Sequence, residues 1–415
     1  MEKASVPQPV AQPPVAASDP QVVKTVLKRI EELGGSVEPE DGQNVVAVDL
    51  SERPATNADL EQIVKAFPGL ERLQLWGAEI TDAGVARLSA LTRLNDLTLF
   101  NTRITNAGVA TLKSLPGLTT LTLRRNTGMT DDGLAALVDL PNLQTLVLLY
   151  NTFGDAAMGH VKELAKLRRL DLRGCDRIGD PGLAQLKGLT KLESLKLRNP
   201  SITDAGLLPL AGLTKLKTLS IEDAAGVTDA ALAILDQMPD MRELEFMRCA
   251  GVNDDGLVHL KSLGKLKKLS LRGTPIFGAG LANLKDLSQL TDVDLDETSV
   301  NDAGLANLKN LTSLESIHLW HAEVTNAGLA TLAGLSNLKD LVLKGTQVTD
   351  AGMEQLKGLA KLESLDLEET KISDAGLKPL AALGNLQSLT LKFTQVSEEG
   401  VKKLKESLPK CEVEN

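Results

Sequence analysis

Between Leu73 and Leu391 the chain repeats one pattern of apolar and polar positions. A typical copy reads Leu338-Lys-Asp-Leu341-Val-Leu343-Lys-Gly-Thr346-Gln-Val348-Thr-Asp-Ala-Gly352-Met353-Glu-Gln-Leu356-Lys-Gly-Leu359. The first residue of the central Leu-x-Leu pair recurs at 73, 97, 121, 146, 170, 195, 219, 244, 269, 293, 317, 341, 365 and 389, a spacing of 24 or 25 residues. Val293 and Ile317 are the only exceptions to leucine in that column. A fixed period in this range marks a solenoid, in which each unit buries its apolar side against its neighbours. The Leu-x-Leu alternation predicts a short strand with both leucines inward. The following Thr-Asp-Ala-Gly predicts the start of a short helix, capped by Thr or Ser, with Asp where the helix dipole favours an anion. Gly fills the fourth position of that box except where Ala157 and Ala231 stand, so neighbouring helices are expected to approach closely there. Strands stack at about 4.8 Å, whereas packed helices sit about 8–10 Å apart. The predicted stack therefore curves, with a parallel sheet on the concave side and helices on the convex side.

The ends break the pattern. Residues 1–20 hold Pro7, Pro9, Pro13, Pro14 and Pro20 among Ala, Gln and Val, a linker composition. Residues 21–33 carry Val22, Val23, Val26, Leu27, Ile30 and Leu33 at helical spacing, and Gly34-Gly35 end that helix. Asn44 to Leu50 then reads as a strand, so 21–69 is expected to be an N-terminal cap. Fourteen main repeats occupy 70–397, and 398–415 closes the chain with a charged helix from Glu398 to Ser407 and a last strand around Val413. Four copies carry one extra residue after the strand, at Asn126, Cys175, Ala224 and Cys249.

The signature L-x-x-L-x-L-x-x-(Thr/Asn/Cys) is that of leucine-rich repeats. The chain resembles bacterial leucine-rich repeat proteins with Thr-Asp-Ala-Gly-Leu repeats, abundant in planctomycetes, over roughly residues 25–413. The copies with Cys175 and Cys249 are similar to the cysteine-containing repeats of F-box proteins, although no F-box segment precedes them. The resemblance implies an α/β leucine-rich-repeat solenoid, a curved horseshoe with the parallel β-sheet on its concave face and short helices on its convex face. Many members of the bacterial group are exported or lipid-anchored. That implies an envelope location here, with the cytoplasm as the alternative, and names no ligand.

Composition narrows the function classes. A chain of 415 residues usually splits into domains, but a solenoid grows lengthwise instead. Aromatics are only 2% of residues, so the core must be Leu, Val, Ile and Ala. The net charge of −10 argues against a nucleic-acid partner, which needs a basic face. No stretch approaches the roughly 18–20 apolar residues of a membrane span. Cys175 and Cys249 occupy one repeat position three repeats apart, so about 14 Å separates them. The limit for a disulfide is about 7 Å, and Cys411 lies in the cap, so disulfides are not expected to hold the fold.

Candidate chemistry concentrates at the strand ends, on the concave face. Trp76, Phe100 and Tyr150 stand there, as does Trp320 beside His321. The same columns hold Arg124, Arg125, Arg173, Arg198, Arg248 and Arg272. Trp, Tyr and Arg are the residues enriched at binding hot spots; packing over the edge of a neighbouring repeat is the competing role. Charges alternate in blocks, from Arg169, Arg173, Lys196 and Arg198 to Glu222, Asp223, Glu243 and Glu245, so cross-strand pairing within the face competes with a charged partner. Asp292, Asp294 and Asp296 are expected to project beside His318, Trp320 and His321 of the next strand. That set could ligate zinc or run acid–base chemistry, but the open surface and undiagnostic spacing speak for neither. There is no phosphate loop, nucleophile elbow or paired-cysteine motif. The expected function is non-enzymatic recognition of a protein or peptide, without cofactor or metal, by a monomer or homodimer. Envelope glycan on the same aromatics is the alternative, and a metal-dependent enzyme at Asp294 and His318 a remote one.

Overall fold

The computed structural model describes residues 18–415, in two compact units that divide after Leu143. Most of the proline-rich stretch expected to be a linker lies outside the described residues. The first unit opens with helix Pro20–Leu33, which Asp19 caps by accepting from the Gln21 amide at 2.8 Å. Gly34, in the left-handed region at φ 75°, ends it. A strand that no pattern announced, Ser36–Glu38, runs antiparallel to Ala47–Pro54. That second strand begins three residues later than the sequence suggests. Helix Asn57–Ala66 follows, with Thr56 and Asp59 satisfying each other's amides. Strands Arg72–Trp76, Asp96–Phe100 and Thr120–Arg124 then add in parallel.

In the second unit, parallel strands run from Thr145–Leu149 to Glu412–Glu414 without a change of register. Val293, Ile317, Leu341, Leu365, Leu389 and Val413 stand directly opposite one another along this series. The period of the sequence is therefore the register of the sheet. Inside each repeat the leucines converge: Leu341, Leu343, Leu356, Leu359 and Leu362 are all fully buried. Many connecting helices are 3₁₀, as in Asp229–Gln237 and Asp254–Ser262. A 3₁₀ helix is wound more tightly than an α-helix, which suits repeats that must stack closely.

Two polar ladders tie the repeats together. The first is the Thr-Asp box. Asp180 accepts from the amide and hydroxyl of Thr203 in the next repeat at 2.8 and 2.6 Å; Asp204 does the same for Thr228, Asp302 for Thr325 and Asp350 for Ser373. This explains the glycine of the box more sharply than helix contact does. A Cβ at Gly182, Gly328 or Gly376 would lie 2.5 Å from the Oδ1 of the preceding repeat's Asp. The close approach is therefore to a carboxylate rather than to a helix. The second ladder is buried at the strand ends. Asn126 Nδ2 donates to Leu99 O at 2.8 Å, Asn199 Nδ2 to Cys175 O at 2.6 Å, and Cys175 Sγ to Leu148 O at 2.9 Å. Where Thr replaces Asn or Cys, as in Thr298, Thr346 and Thr370, its hydroxyl donates to the carbonyl three residues back at 2.6 Å. All three cysteines are free thiols, and burial pushes Cys175 up to about 12.

Candidate functional site

The open face of each sheet ends in a column whose backbone is unusual. The residue four after the first strand leucine takes a positive φ in every main repeat except one. Gly77, Gly174, Gly273 and Gly345 fill it without strain. Asn101, Arg125, Tyr150, Asp223, Arg248, Glu297, His321, Glu369 and Phe393 occupy it at φ between 53° and 59°. The exception, Asn199, precedes Pro200, and a residue before proline is held to extended backbone. The amide of this residue donates across to the next repeat, as from Tyr150 to Arg173 O at 3.1 Å and from His321 to Lys344 O at 2.9 Å. That bond holds the left-handed turn whatever side chain is present.

Three of the column's glycines, Gly174, Gly273 and Gly345, follow a bulky residue for a steric reason. A Cβ at Gly174 would run into the Tyr150 ring, and one at Gly345 into the His321 ring. One at Gly273 would lie 2.8 Å from Arg248 Cγ. Large side chains thus lie across the glycine of the following repeat. Tyr150 nevertheless keeps 40% of its surface exposed, and Phe393, at the last repeat, keeps 78%.

In the first unit Trp76 and Phe100 meet edge to face with centroids 6.5 Å apart, and the Arg124 guanidinium stacks 4.3 Å from the Phe100 ring. Arg125 follows in the strained column. In the second unit the arginines are tied into the sheet. Arg173 bonds Asp171 at 2.8 Å and reaches Glu222 at 3.3 Å; the Asp171 bond is the main reason its guanidinium is raised further above its ordinary range. Asp223 stands between Arg198 at 2.6 Å and Arg248 at 2.5 Å, and the Arg248 bond leads in holding its carboxyl below the usual range. Arg272 pairs with Glu297 at 2.7 Å and Lys344 with Glu368 at 2.9 Å. The alternating charge blocks of the sequence are, in large part, pairs within the face.

Trp320 is packed rather than free-standing. Its indole lies 4.9 Å from the Arg272 guanidinium and 5.6 Å from the Lys344 ammonium. Its backbone amide donates to Asp296 Oδ1 at 2.7 Å, and its Nε1 is buried without a partner. Asp296 is only 7% exposed; burial raises its carboxyl and Asp294 adds to the shift. Asp294 and His318 are register partners on adjacent strands, and ligand atoms of Asp294, Asp296 and His318 lie within 4.8 Å of one another. His318 Nε2 bonds Asp340 at 2.8 Å, the leading cause of its raised imidazole.

The expected neighbours separate at this point. Asp292 is taken up by the Thr291 hydroxyl at 2.5 Å, and His321 by Glu369 at 3.3 Å, so neither belongs to the Asp294 cluster. Lys392 and Phe393 stand among the strand-end positions the sequence points to, whereas Asp340 is a part of this face that the sequence reading missed. Counting along the repeat could have found Asp340, which sits just before Leu341 and so faces the same side as Asp292. The recurrence of glycine four residues after the strand leucine was the visible sign of the left-handed column.

A leucine-rich repeat region matches residues 151–405, and a single leucine-rich repeat matches 116–138. The chain belongs to the leucine-rich repeat family. No curated protein matches it. Among solved structures, an internalin of Listeria monocytogenes is 21% identical over 95% of this chain and 93% of its own, with a TM-score of 0.55. A leucine-rich repeat protein of Leptospira interrogans is 18% identical over 79% of this chain and 92% of its own, at 0.52. These likenesses are of fold: parallel strands in an open sheet joined by short helices. No helix among the described residues is long and apolar enough to cross a membrane.

Proposed function

We propose that this chain is a non-enzymatic scaffold of the bacterial Thr-Asp-Ala-Gly-Leu kind, whose open sheet face recognises a protein or peptide. The observation that carries the reading is the strained column. Placing an L-residue in the left-handed region costs about 1–2 kcal/mol, and sister repeats at 77, 174, 273 and 345 fill the same turn with glycine. Side chains such as Tyr150, His321 and Phe393 are kept there against that cost, on the exposed rim of the sheet. Strain retained where folding does not demand it points to function. The aromatic and Arg types at these positions are those that anchor protein interfaces. Because most charges are already paired within the face, recognition rests on aromatic and shape complementarity more than on free charge.

The test replaces Tyr150, His321 and Phe393 together by glycine. Relief of strain offsets the added chain entropy of glycine, so the thermal midpoint should hold or rise. Cross-linking capture from the source cells and their envelope fraction should lose its partner. A large fall in midpoint would assign these side chains to packing. Capture that survives the substitution would place recognition elsewhere, and loss of a glycan from an array, with no protein partner, would favour the carbohydrate alternative.

A further inference from the structure

We infer that Asp294, Asp296 and His318 form a binding site for a borderline divalent cation of the zinc class. The proposal is independent of the recognition face, because it rests on the charge balance of one corner of the second unit. Several carboxylates elsewhere on this face have cationic partners: Asp171 and Glu222 share Arg173, Asp223 holds two arginines, and Glu297 holds Arg272. Among the described residues, Asp294 and Asp296 have no ion-pair partner of that kind. Asp296 is more than nine-tenths buried, and only its Oδ1 is engaged, by the Trp320 amide. Its Oδ2 accepts no hydrogen bond, and a second carboxylate lies within the same 4.8 Å cluster. Burying one carboxylate against another is costly unless a cation stands between them.

The surroundings are those of a ligand set held in place. Asp294 takes the Ser270 hydroxyl at 2.7 Å and the Asp296 amide at 3.0 Å, which fix its carboxylate on the strand. His318 hydrogen-bonds Asp340 through Nε2 at 2.8 Å. Donation from Nε2 leaves Nδ1 as the nitrogen with a free lone pair, the carboxylate–histidine arrangement that orients a metal-binding imidazole. Two carboxylate oxygens and one imidazole nitrogen suit zinc or its neighbours rather than calcium, which takes about 6–8 oxygens. A cleft of about 210 Å³ lined by Asp294 and His318, together with Glu245, Lys268, Asp292 and Ser316, opens beside these two residues. It leaves room for water or a partner's donor to complete the coordination. The competing account is that a protonated His318 serves as the counter-charge itself.

Isothermal titration of chelator-stripped full-length protein with zinc chloride is the direct test. A single bound zinc ion is expected, with a raised thermal midpoint in its presence and no comparable response to magnesium. Asp296→Asn keeps the acceptor for the Trp320 amide, so it should stay folded, raise the metal-free midpoint by removing the uncompensated charge, and abolish zinc binding. Asp340→Asn should weaken binding about tenfold or more by loosening the imidazole. His160→Gln and His259→Gln, on the helices, should leave it unchanged. Absence of zinc binding by the native chain, or binding that Asp296→Asn leaves intact, would overturn the site. Absence together with a lowered metal-free midpoint in His318→Gln would assign the imidazolium as the counter-ion.

Discussion

At Gly345 a missing side chain decides where a neighbour lies. Its φ of 66° is left-handed, and the His321 ring of the preceding repeat occupies the space a Cβ would need. Gly345→Ala therefore meets two separable penalties, about 1–2 kcal/mol of backbone strain and the displacement of an imidazole. The first is local and remains when His321 is removed; the second disappears. A double-mutant cycle with His321→Gly, read by denaturant unfolding, should show Gly345→Ala costing less in the glycine background. Equal costs in both backgrounds would mean that the ring moves aside freely. The same logic accounts for the thiols. Cys175 is a hydrogen-bond donor in the ladder that Asn126 and Asn199 also serve, and its burial suppresses the thiolate. Cysteine at this position is a small buried donor, not half of a bridge.

At the scale of the element, the Thr-Asp box does more than start a helix. Each carboxylate caps the next repeat's turn from outside, so the helix starts are stabilised in trans along the stack. Asn326 performs the task with its amide, accepting from the Thr349 amide at 2.9 Å and donating to its hydroxyl at 2.8 Å. Asp350→Asn should therefore be tolerated. Asp350→Ala leaves the Ser373 amide and hydroxyl without their acceptor and should cost about 1–3 kcal/mol by denaturant unfolding. Equal effects of the two substitutions would refute the ladder. The period, the strands and the helix starts were legible in the sequence because each repeat states them again. What the box bonds to was not, since the partner lies in the next copy and only register brings Asp350 to Ser373. The strand-end column of Trp, Tyr and Arg was legible as a candidate face. Its internal pairing was not, because Arg173 reaches past one strand to Glu222, and no local spacing shows such a contact.

Across the second unit, stability is a sum of repeats and of the interfaces between neighbours, so a break in a ladder sets where the stack opens. One junction has such a break. Where the other interior repeats of the unit carry Asp or Asn as the second residue of the box, this one reads Phe277-Gly278. Asp254 still serves it from below, accepting from the amides of Phe277 at 2.8 Å, Gly278 at 3.0 Å and Gly280 at 2.7 Å. Gly278 offers no carboxylate upward, and Asn301 turns inward to accept from its own Gly304 amide at 3.1 Å. Phe277 is left 57% exposed beside the gap. Backbone packing of Gly278 against Gly304 and one bond from Asn307 Nδ2 to Gly278 O at 2.9 Å are what remain on the helix side. Native-state hydrogen exchange should therefore find the lowest opening free energy among interior repeats of 144–415 in the helical turns Ala279–Leu284 and Asp302–Leu305. Sub-global opening that splits the unit at this junction is the expected pattern. Uniform protection across it would show that the leucine core alone couples the repeats, and that the carboxylate ladder contributes little to their cooperativity.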